Sequence, residues 1–252
     1  MSLKVIITGA SSGIGRALAI EYDKHGATLG LISRSKANLI KTQKQLKGVS
    51  EVFAINITDR QSCFAMAKQY LKKFGPPDII IANAGISHGT LSEEVEDFEA
   101  FKSIIDTNLL GVLNTFQPFI ASMKKNGSGC LVGISSVAGI RGLPGASAYS
   151  ASKSALTNYL EGLRVELSSY GLNVITIAPG YIVTPMTDVN PYPMPFIIEA
   201  KSAAKKIIAA IRQKKTYAII PWQMAIIGRI MHLLPNWIWD CLAKKSPRKP
   251  RQ

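Results

Sequence analysis

Cysteine, histidine and acidic residues are all scarce in this chain of 252 residues. The three cysteines, Cys63, Cys130 and Cys241, are odd in number, far apart and without C-x-x-C spacing. They supply neither a disulfide framework nor a zinc site, and they suit a reducing compartment. The three histidines, His25, His88 and His232, are as scattered, so no metal site is expected. Charged residues make up only 18% against 47% hydrophobic, which excludes a disordered chain. No uninterrupted apolar stretch reaches the roughly 20 residues of a membrane span. No basic n-region precedes an apolar h-region at the start, so a signal peptide is not expected and the cytoplasm is the expected location. Helix-turn-helix, zinc-finger and RNP-like patterns are missing, so nucleic acid is not an expected partner.

The shortage of acid leaves a formal net charge of +14, and it is unevenly placed. Residues 200–252 hold twelve Lys or Arg against one acid, Asp240, whereas residues 1–199 hold eighteen against fifteen. The body is nearly balanced and the basicity is local, which suits an anionic lipid surface or water.

What the chain does have is alternation. Continuously apolar runs at 4–8, 28–33, 51–55, 78–82, 129–134, 173–178 and 217–220 read as strands buried on both faces. Amphipathic stretches at 14–25, 36–47, 59–74, 97–125, 148–169 and 199–214 read as helices, punctuated by Gly26, Gly48 and Gly75-Pro76-Pro77. This pattern predicts one doubly wound α/β domain with a seven-stranded parallel sheet and right-handed crossovers. Residues 1–221 form the expected dinucleotide-binding catalytic part, with 184–215 as a substrate lid. Residues 222–252 form an apolar, then basic, extension of the same domain.

The first strand runs straight into Thr8-Gly9-Ala10-Ser11-Ser12-Gly13-Ile14-Gly15 and then a helix. Glycines remove side chains from the path of a phosphate, and a helix N-terminus offers unpaired N–H groups and the positive end of a dipole. The spacing is not the G-x-G-x-x-G of many dinucleotide sites. At the end of the second strand, Ser33-Arg34-Ser35-Lys36 carries no acid. A carboxylate there would bind a ribose 2′-hydroxyl and repel a 2′-phosphate, so Arg34, with Lys36 nearby, favours NADP(H).

Tyr149 and Lys153 stand four apart, on one face of a helix. The pair alone says little, since eight Tyr and twenty-one Lys give about one such pair by chance. Its weight comes from Ser136 at the end of a strand and from Asn108 in mid-helix, where an amide is a poor helix former. A cation one turn from a phenol favours phenolate and is expected to lower the Tyr149 pKa. Tyr149 is then the expected general acid or base, and Ser136 a donor to the substrate oxygen.

The T-G-x-x-x-G-x-G turn, Asn83-Ala84-Gly85, Asn108, Ser136, the Tyr149/Lys153 pair and Pro179-Gly180 together resemble the short-chain dehydrogenase/reductase family, over residues 3–221. The resemblance implies a Rossmann-like fold and a nicotinamide cofactor held by Gly9, Ser11, Ser12, Gly13, Ile14, Gly15, Ser33, Arg34, Asn56, Ile57, Asn83, Ala84, Gly85, Tyr149, Lys153, Pro179, Gly180, Ile182 and Thr184. Asn56 stands where the family usually has an aspartate toward the adenine amino group. The resemblance also implies a catalytic tetrad of Asn108, Ser136, Tyr149 and Lys153, with Lys153 on the nicotinamide ribose and Asn108 positioning a water. By the same spacing Ser136 is preferred to Ser135, which is read as structural. It further implies a homodimer or homotetramer through helices 97–125 and 148–169.

Ile86, Val137, Leu143, Met186, Tyr192, Met194 and Phe196 are the candidates for lining a substrate site, with Arg141 the one nearby charge. An apolar lining points to a lipophilic carbonyl or alcohol: a 3-oxoacyl chain, a ketosphingoid base or a steroid-like ketone. All three tryptophans, Trp222, Trp237 and Trp239, fall in the C-terminal extension, which reads as two short helices broken at Pro235-Asn236. With the basic tail from Lys244 to Arg251, these residues either cap the pocket, pack on a second subunit or make peripheral membrane contact. The reading from a different class is a catalytically idle, NADP-sensing interaction protein that uses its basic C-terminus.

Overall fold

The computed structural model describes residues 2–244 and 248–251, so Lys245, Ser246 and Pro247 of the basic tail lie outside the described residues. The strands are β1 (Lys4–Thr8), β2 (Thr28–Ser33), β3 (Ser50–Ala54), β4 (Ile79–Ala82), β5 (Gly129–Ile134), β6 (Leu172–Pro179), β7 (Ile182–Val183), β8 (Ile198–Glu199) and β9 (Tyr217–Ile220). Seven of them form one parallel sheet in the order β3-β2-β1-β4-β5-β6-β9, and β7 and β8 pair separately. The helices are α1 (Gly13–Asp23), α2 (Lys36–Gln43), α3 (Arg60–Phe74), α4 (Phe98–Ile105), α5 (Gly111–Asn126), α6 (Ser147–Leu167), α7 (Ala200–Arg212), α8 (Trp222–Leu233) and α9 (Asn236–Lys244). The expected doubly wound, seven-stranded Rossmann-like fold is present.

Alternate residues of each strand face opposite sides, which is why the strands are apolar throughout. Val5 and Ile7 join one core with Leu18 of α1 and Ile207 of α7. Ile6 joins the other with Tyr70 of α3, Phe116 and Phe119 of α5 and Leu160 of α6. The order of strands reverses between β1 and β4, so a crevice opens at their C-terminal ends. The Gly-rich turn after β1 and Asn83-Ala84-Gly85 after β4 flank that crevice.

Two differences from the sequence reading, and one choice among its alternatives, bear on the site. The single helix expected over 97–125 is divided into α4 and α5 by one π turn, Asp106–Leu110, centred on Asn108. Single π turns place a side chain that a regular helix would misdirect, and they recur at functional sites. Part of the span 184–215, expected as a substrate lid, belongs to the core. Within that span α7 buries Ala203, Ala204, Ile207, Ile208 and Ile211 in the core, so its amphipathic face serves the sheet, not an opening. The extension is two helices, as expected, and of the alternatives left open α8 fits capping, because it packs on β9 and forms part of the wall of the crevice. Among the described residues no helix is long and apolar enough to cross a membrane.

Candidate active site

Thr8 closes β1 fully buried, and its hydroxyl accepts from the amides of Asn83 and Ala84, both at 3.0 Å. Asn83 returns the bond, donating its side-chain amide to the Thr8 carbonyl at 2.9 Å. The Gly-rich turn and the end of β4 are thus locked together across the sheet. Gly9 sits at φ +66°, where an added Cβ would lie 2.8 Å from Asn83 Nδ2. Gly13, at φ +49°, would bring a Cβ to 3.0 Å from the Thr184 methyl. Ser12 is the N-cap of α1, and among the described residues its side chain makes no capping bond. The first amides of α1 therefore face the crevice open to an anion. Gly15 is the one member of the expected cofactor set in this turn that does not line the crevice. It lies behind the turn, where a Cβ would run into the Gly9 carbonyl. Its glycine is required for packing.

At the end of β2 the Ser33 hydroxyl donates to Ser11 Oγ at 2.9 Å, tying the second strand to the turn. Arg34 is exposed at the rim, and Lys36 lies outside the lining as the first residue of α2. Asn56 uses its amide oxygen locally, accepting from the Thr58 amide at 3.2 Å. Ile57 is held in place by the Asn114 side chain, which donates to its carbonyl at 3.0 Å. A cradle that only glycine fits and open helix amides together suit the pyrophosphate of a dinucleotide.

The four residues of the expected tetrad come from α6, β5 and the π turn. Tyr149 and Lys153 share the inner face of α6. Lys153 is 4% exposed, donates to the Ile134 carbonyl at 2.8 Å, and lies 5.7 Å from the Tyr149 ring centre. Burial pulls its ammonium down to about 8. Burial raises the Tyr149 phenol above its usual range, and the neighbouring Ser136 hydroxyl offsets this only in part. This corrects the expectation that Lys153 lowers the phenol. In the chain alone, loss of water is the leading cause of the shift at both groups. Ser136 follows β5, accepts from the Ala138 amide at 3.2 Å and donates to the Pro179 carbonyl at 3.4 Å. Ser135 points the other way and donates to the Lys153 carbonyl at 2.9 Å, a structural fastening.

Asn108 is fully buried and does not line the crevice. Its Oδ1 accepts from the Ile86 amide at 2.8 Å, and its Nδ2 donates to the Ile86 carbonyl and to Ser152 Oγ, both at 3.0 Å. The π turn aims it at the backbone just past Asn83-Ala84-Gly85, which it holds against α6. After β6, the Gly180 amide donates to the Ile220 carbonyl at 2.8 Å, and an added Cβ there would meet Met224 at 2.6 Å. Thr187 then folds the following segment, donating to the Ile182 carbonyl at 2.7 Å and accepting from the Thr184 amide at 3.0 Å.

One cavity of about 560 Å³ contains Tyr149, Lys153, Ser136, the glycine cradle and Thr184. Its remaining wall includes Ile86, Val137, Leu143, Met186 and Tyr192, as the sequence suggested. Met194 and Phe196 do not join it. Phe196, at φ +57°, turns outward and is 49% exposed, and Pro195 lines the cavity instead. Sequence reasoning missed Met224, Ile227 and Met231 of α8. Their i, i+3, i+7 spacing was the available signal. It also missed Lys249, which reaches the cavity from the tail. Arg141 does not face solvent alone. It donates to the carbonyls of Leu234 at 2.9 Å and Met231 at 3.3 Å, and its guanidinium lies 5.0 Å from the centre of a Trp239 ring. These bonds satisfy the C-terminal carbonyls of α8, and the Asn236 and Trp239 contacts fasten α9 to the same arginine.

The short chain dehydrogenase family model matches residues 3–192. An uncharacterized oxidoreductase of Myxococcus xanthus is 34% identical over 243 residues, covering 95% of this chain and 96% of that protein. A 3-oxoacyl-(acyl-carrier-protein) reductase of Thermotoga maritima is 35% identical over 189 residues, covering 74% and 76%. Among solved structures, an alcohol dehydrogenase from the archaeon Thermococcus sibiricus, complexed with 5-hydroxy-NADP, superposes with a TM-score of 0.76 at 25% identity, covering 87% of this chain and 96% of that one. The chain belongs to the short-chain dehydrogenase family and is an oxidoreductase of that family.

Proposed function

We propose that this oxidoreductase uses NADP(H) to interconvert a ketone and a secondary alcohol on a lipophilic substrate, with Tyr149 as general acid and base. The observation that carries the reading is the single cavity that joins the glycine cradle, the Tyr149–Lys153–Ser136 cluster and a wall of methionine, leucine and isoleucine. Arg34 at an acid-free strand end supports NADP(H) over NAD(H), and the archaeal alcohol dehydrogenase with its NADP derivative agrees. The 3-oxoacyl reductase relative supports an acyl chain over the ketosphingoid and steroid-like alternatives.

In this reading Gly9, Gly13 and the first amides of α1 hold the pyrophosphate, Arg34 the 2′-phosphate, and Thr184 the carboxamide end. A nicotinamide held there would supply the hydride for the carbonyl carbon. Ser136 donates a hydrogen bond to the ketone oxygen as negative charge grows on it. Tyr149, kept protonated by burial, gives its proton to that oxygen, and in the reverse direction takes it back. Lys153, its ammonium pulled down to about 8 by burial, donates to the Ile134 carbonyl and is placed to exchange protons beside the phenol. Asn108 positions the Ile86 backbone that borders the reacting centre, and the family's water relay would start from this amide.

Two further assignments accompany this. The outer faces of α4, the π turn and α6 leave Phe98, Leu110 and Val165 exposed, which supports a homodimer or homotetramer through these helices. The outer face of α8 and α9 leaves Trp222, Ile230, Leu233 and Trp237 exposed, which supports peripheral contact with a membrane surface. Sedimentation with anionic vesicles, comparing the full chain with Trp222→Ala/Trp237→Ala, tests the second. No vesicle binding at low salt would remove it. The test of the activity itself is NADPH oxidation with ketones of increasing chain length, set beside NADH. Faster turnover with longer chains, and with NADPH, supports the reading, and equal rates throughout contradict it.

A further inference from the structure

Of the placements left open for the C-terminal extension, capping describes the end of the tail, where residues 248–251 fold back and Lys249 lines the cavity. The Gly89 amide donates to the Pro250 carbonyl at 3.0 Å, and Gly89 pairs with Arg251 as a parallel bridge. A side chain at Gly89 would collide with the Lys249 and Pro250 backbones, so the close approach requires glycine here. Arg251 binds Asp97 at 3.1 Å and Glu94 at 3.4 Å, and Asp97 is itself buried and accepts from the Leu91 amide at 2.7 Å. Arg248 lies over Gly145, where an added Cβ would be 3.0 Å from its side chain. The strap is therefore fastened on both sides of Lys249.

Lys249 is half-buried and joins Tyr149 and Ser136 in lining the cavity. Its ammonium donates to Ser87 Oγ at 3.1 Å and to the Met186 carbonyl at 3.3 Å. Both acceptors are neutral, and an ammonium has three protons to give. Among the described residues no carboxylate pairs with it, whereas Arg251, two residues on, is paired with both Glu94 and Asp97. The wall around it is apolar, and a charge withdrawn from water into such a wall is costly until an opposite charge meets it.

We infer that Lys249, presented by the C-terminal strap, binds an anionic group, carboxylate or phosphate, carried by the substrate. This rests on the reading of the cavity as the site for a lipophilic ketone, and it narrows that class to ketones with an acidic group. Burial also draws the Lys249 ammonium below its ordinary range, as expected for a cation lacking a counter-charge. The Ser87 and Met186 bonds set the ammonium between the body and the lid segment, so an arriving anion engages both at once.

The test uses unreactive probes, so it does not depend on turnover. Decanoate, decyl phosphate and decanamide are titrated calorimetrically against the full chain saturated with NADP+, in wild type, Lys249→Met and Lys249→Arg. Wild type should bind an anion roughly tenfold or more tightly than the amide, the worth of a charged hydrogen bond. Lys249→Met should erase that preference with decanamide binding unchanged, and Lys249→Arg should keep it. Tighter binding of decanoate or of decyl phosphate tells which anion the site suits. Equal binding of all three probes by wild type overturns the inference, as does an anion preference that survives in Lys249→Met. An equal loss for all probes in that variant makes Lys249 a mechanical latch and also overturns it. If the anion preference holds but no ketone is reduced, the activity proposal fails and the anion site stands.

Discussion

Arg141 donates to the Leu234 carbonyl at 2.9 Å and thereby ties the segment after β5 to the end of α8. With the Met231 and Asn236 bonds and the Trp239 ring it is the main polar clasp on that cap. Arg141→Ala should loosen α8 and α9 without touching the tetrad. The expected result is a rise in KM for long-chain ketones with kcat for a short ketone nearly unchanged, and a stability loss of about 1–3 kcal/mol. Steady-state kinetics and denaturant unfolding of the variant check both, and an equal KM change for short and long ketones would count against the clasp.

Lys153 carries a pH signature. Burial pulls its ammonium from 10.5 in the unfolded chain to about 8 in the folded one. Between those values the unfolded state holds more protons, so stability rises with pH across that window and is lower and flat below about 8. Unfolding midpoints of wild type minus those of Lys153→Met, measured in a pH series without cofactor, should increase from about pH 8 upward. A difference independent of pH would mean the ammonium is better solvated than its burial implies.

Gly15 does not line the cavity, yet Gly15→Ala should impair cofactor binding. The new methyl would meet the Gly9 carbonyl and stand 2.7 Å from Asn83 Nδ2, and the cradle must shift to make room. NADPH affinity by fluorescence titration should fall roughly tenfold, together with a stability loss of about 1–3 kcal/mol, typical for overpacking a close contact. Unchanged affinity would show that the turn and α1 yield more easily than their hydrogen bonds suggest.

Arg34 is the side chain on which the cofactor proposal turns. Arg34→Glu should weaken NADPH binding roughly ten- to a hundredfold, the loss of charged hydrogen bonds to a phosphate plus a like-charge repulsion. NADH binding should change little. Titration of both cofactors against the variant measures the switch, and an unaltered NADPH/NADH ratio would place the discrimination elsewhere.

Much of this was legible in the chain. The parallel sheet followed from apolar strands alternating with amphipathic helices, and Gly9 and Ser11 to Ile14 line the crevice because the strand, turn and helix are contiguous. The π turn at Asn108 was not legible, since its hydrogen bonds serve the Ile86 backbone, a partner 22 residues away. The pKa direction of Tyr149 was misjudged because spacing reveals the neighbouring cation and not the loss of water. The outward turn of Phe196 depends on a left-handed backbone at a non-glycine residue, which composition does not announce. Lys249 was hidden most thoroughly. Nothing in a run of lysine, arginine and proline distinguishes a solvated tail from a strap, and the sign lay 160 residues away, in Gly89.

The central claim is that Tyr149 moves the proton in a ketone reduction driven by NADPH. The direct measurement is NADPH oxidation by wild type and by Tyr149→Phe with 3-oxodecanoate and its methyl ester, with NADPH affinity determined for both proteins. Removing the hydroxyl leaves the ring packing in place, so NADPH should bind alike while turnover falls by about a hundredfold or more, the usual worth of a positioned general acid. Turnover in Tyr149→Phe within a few fold of wild type would contradict the account, because the proton would then come from another group.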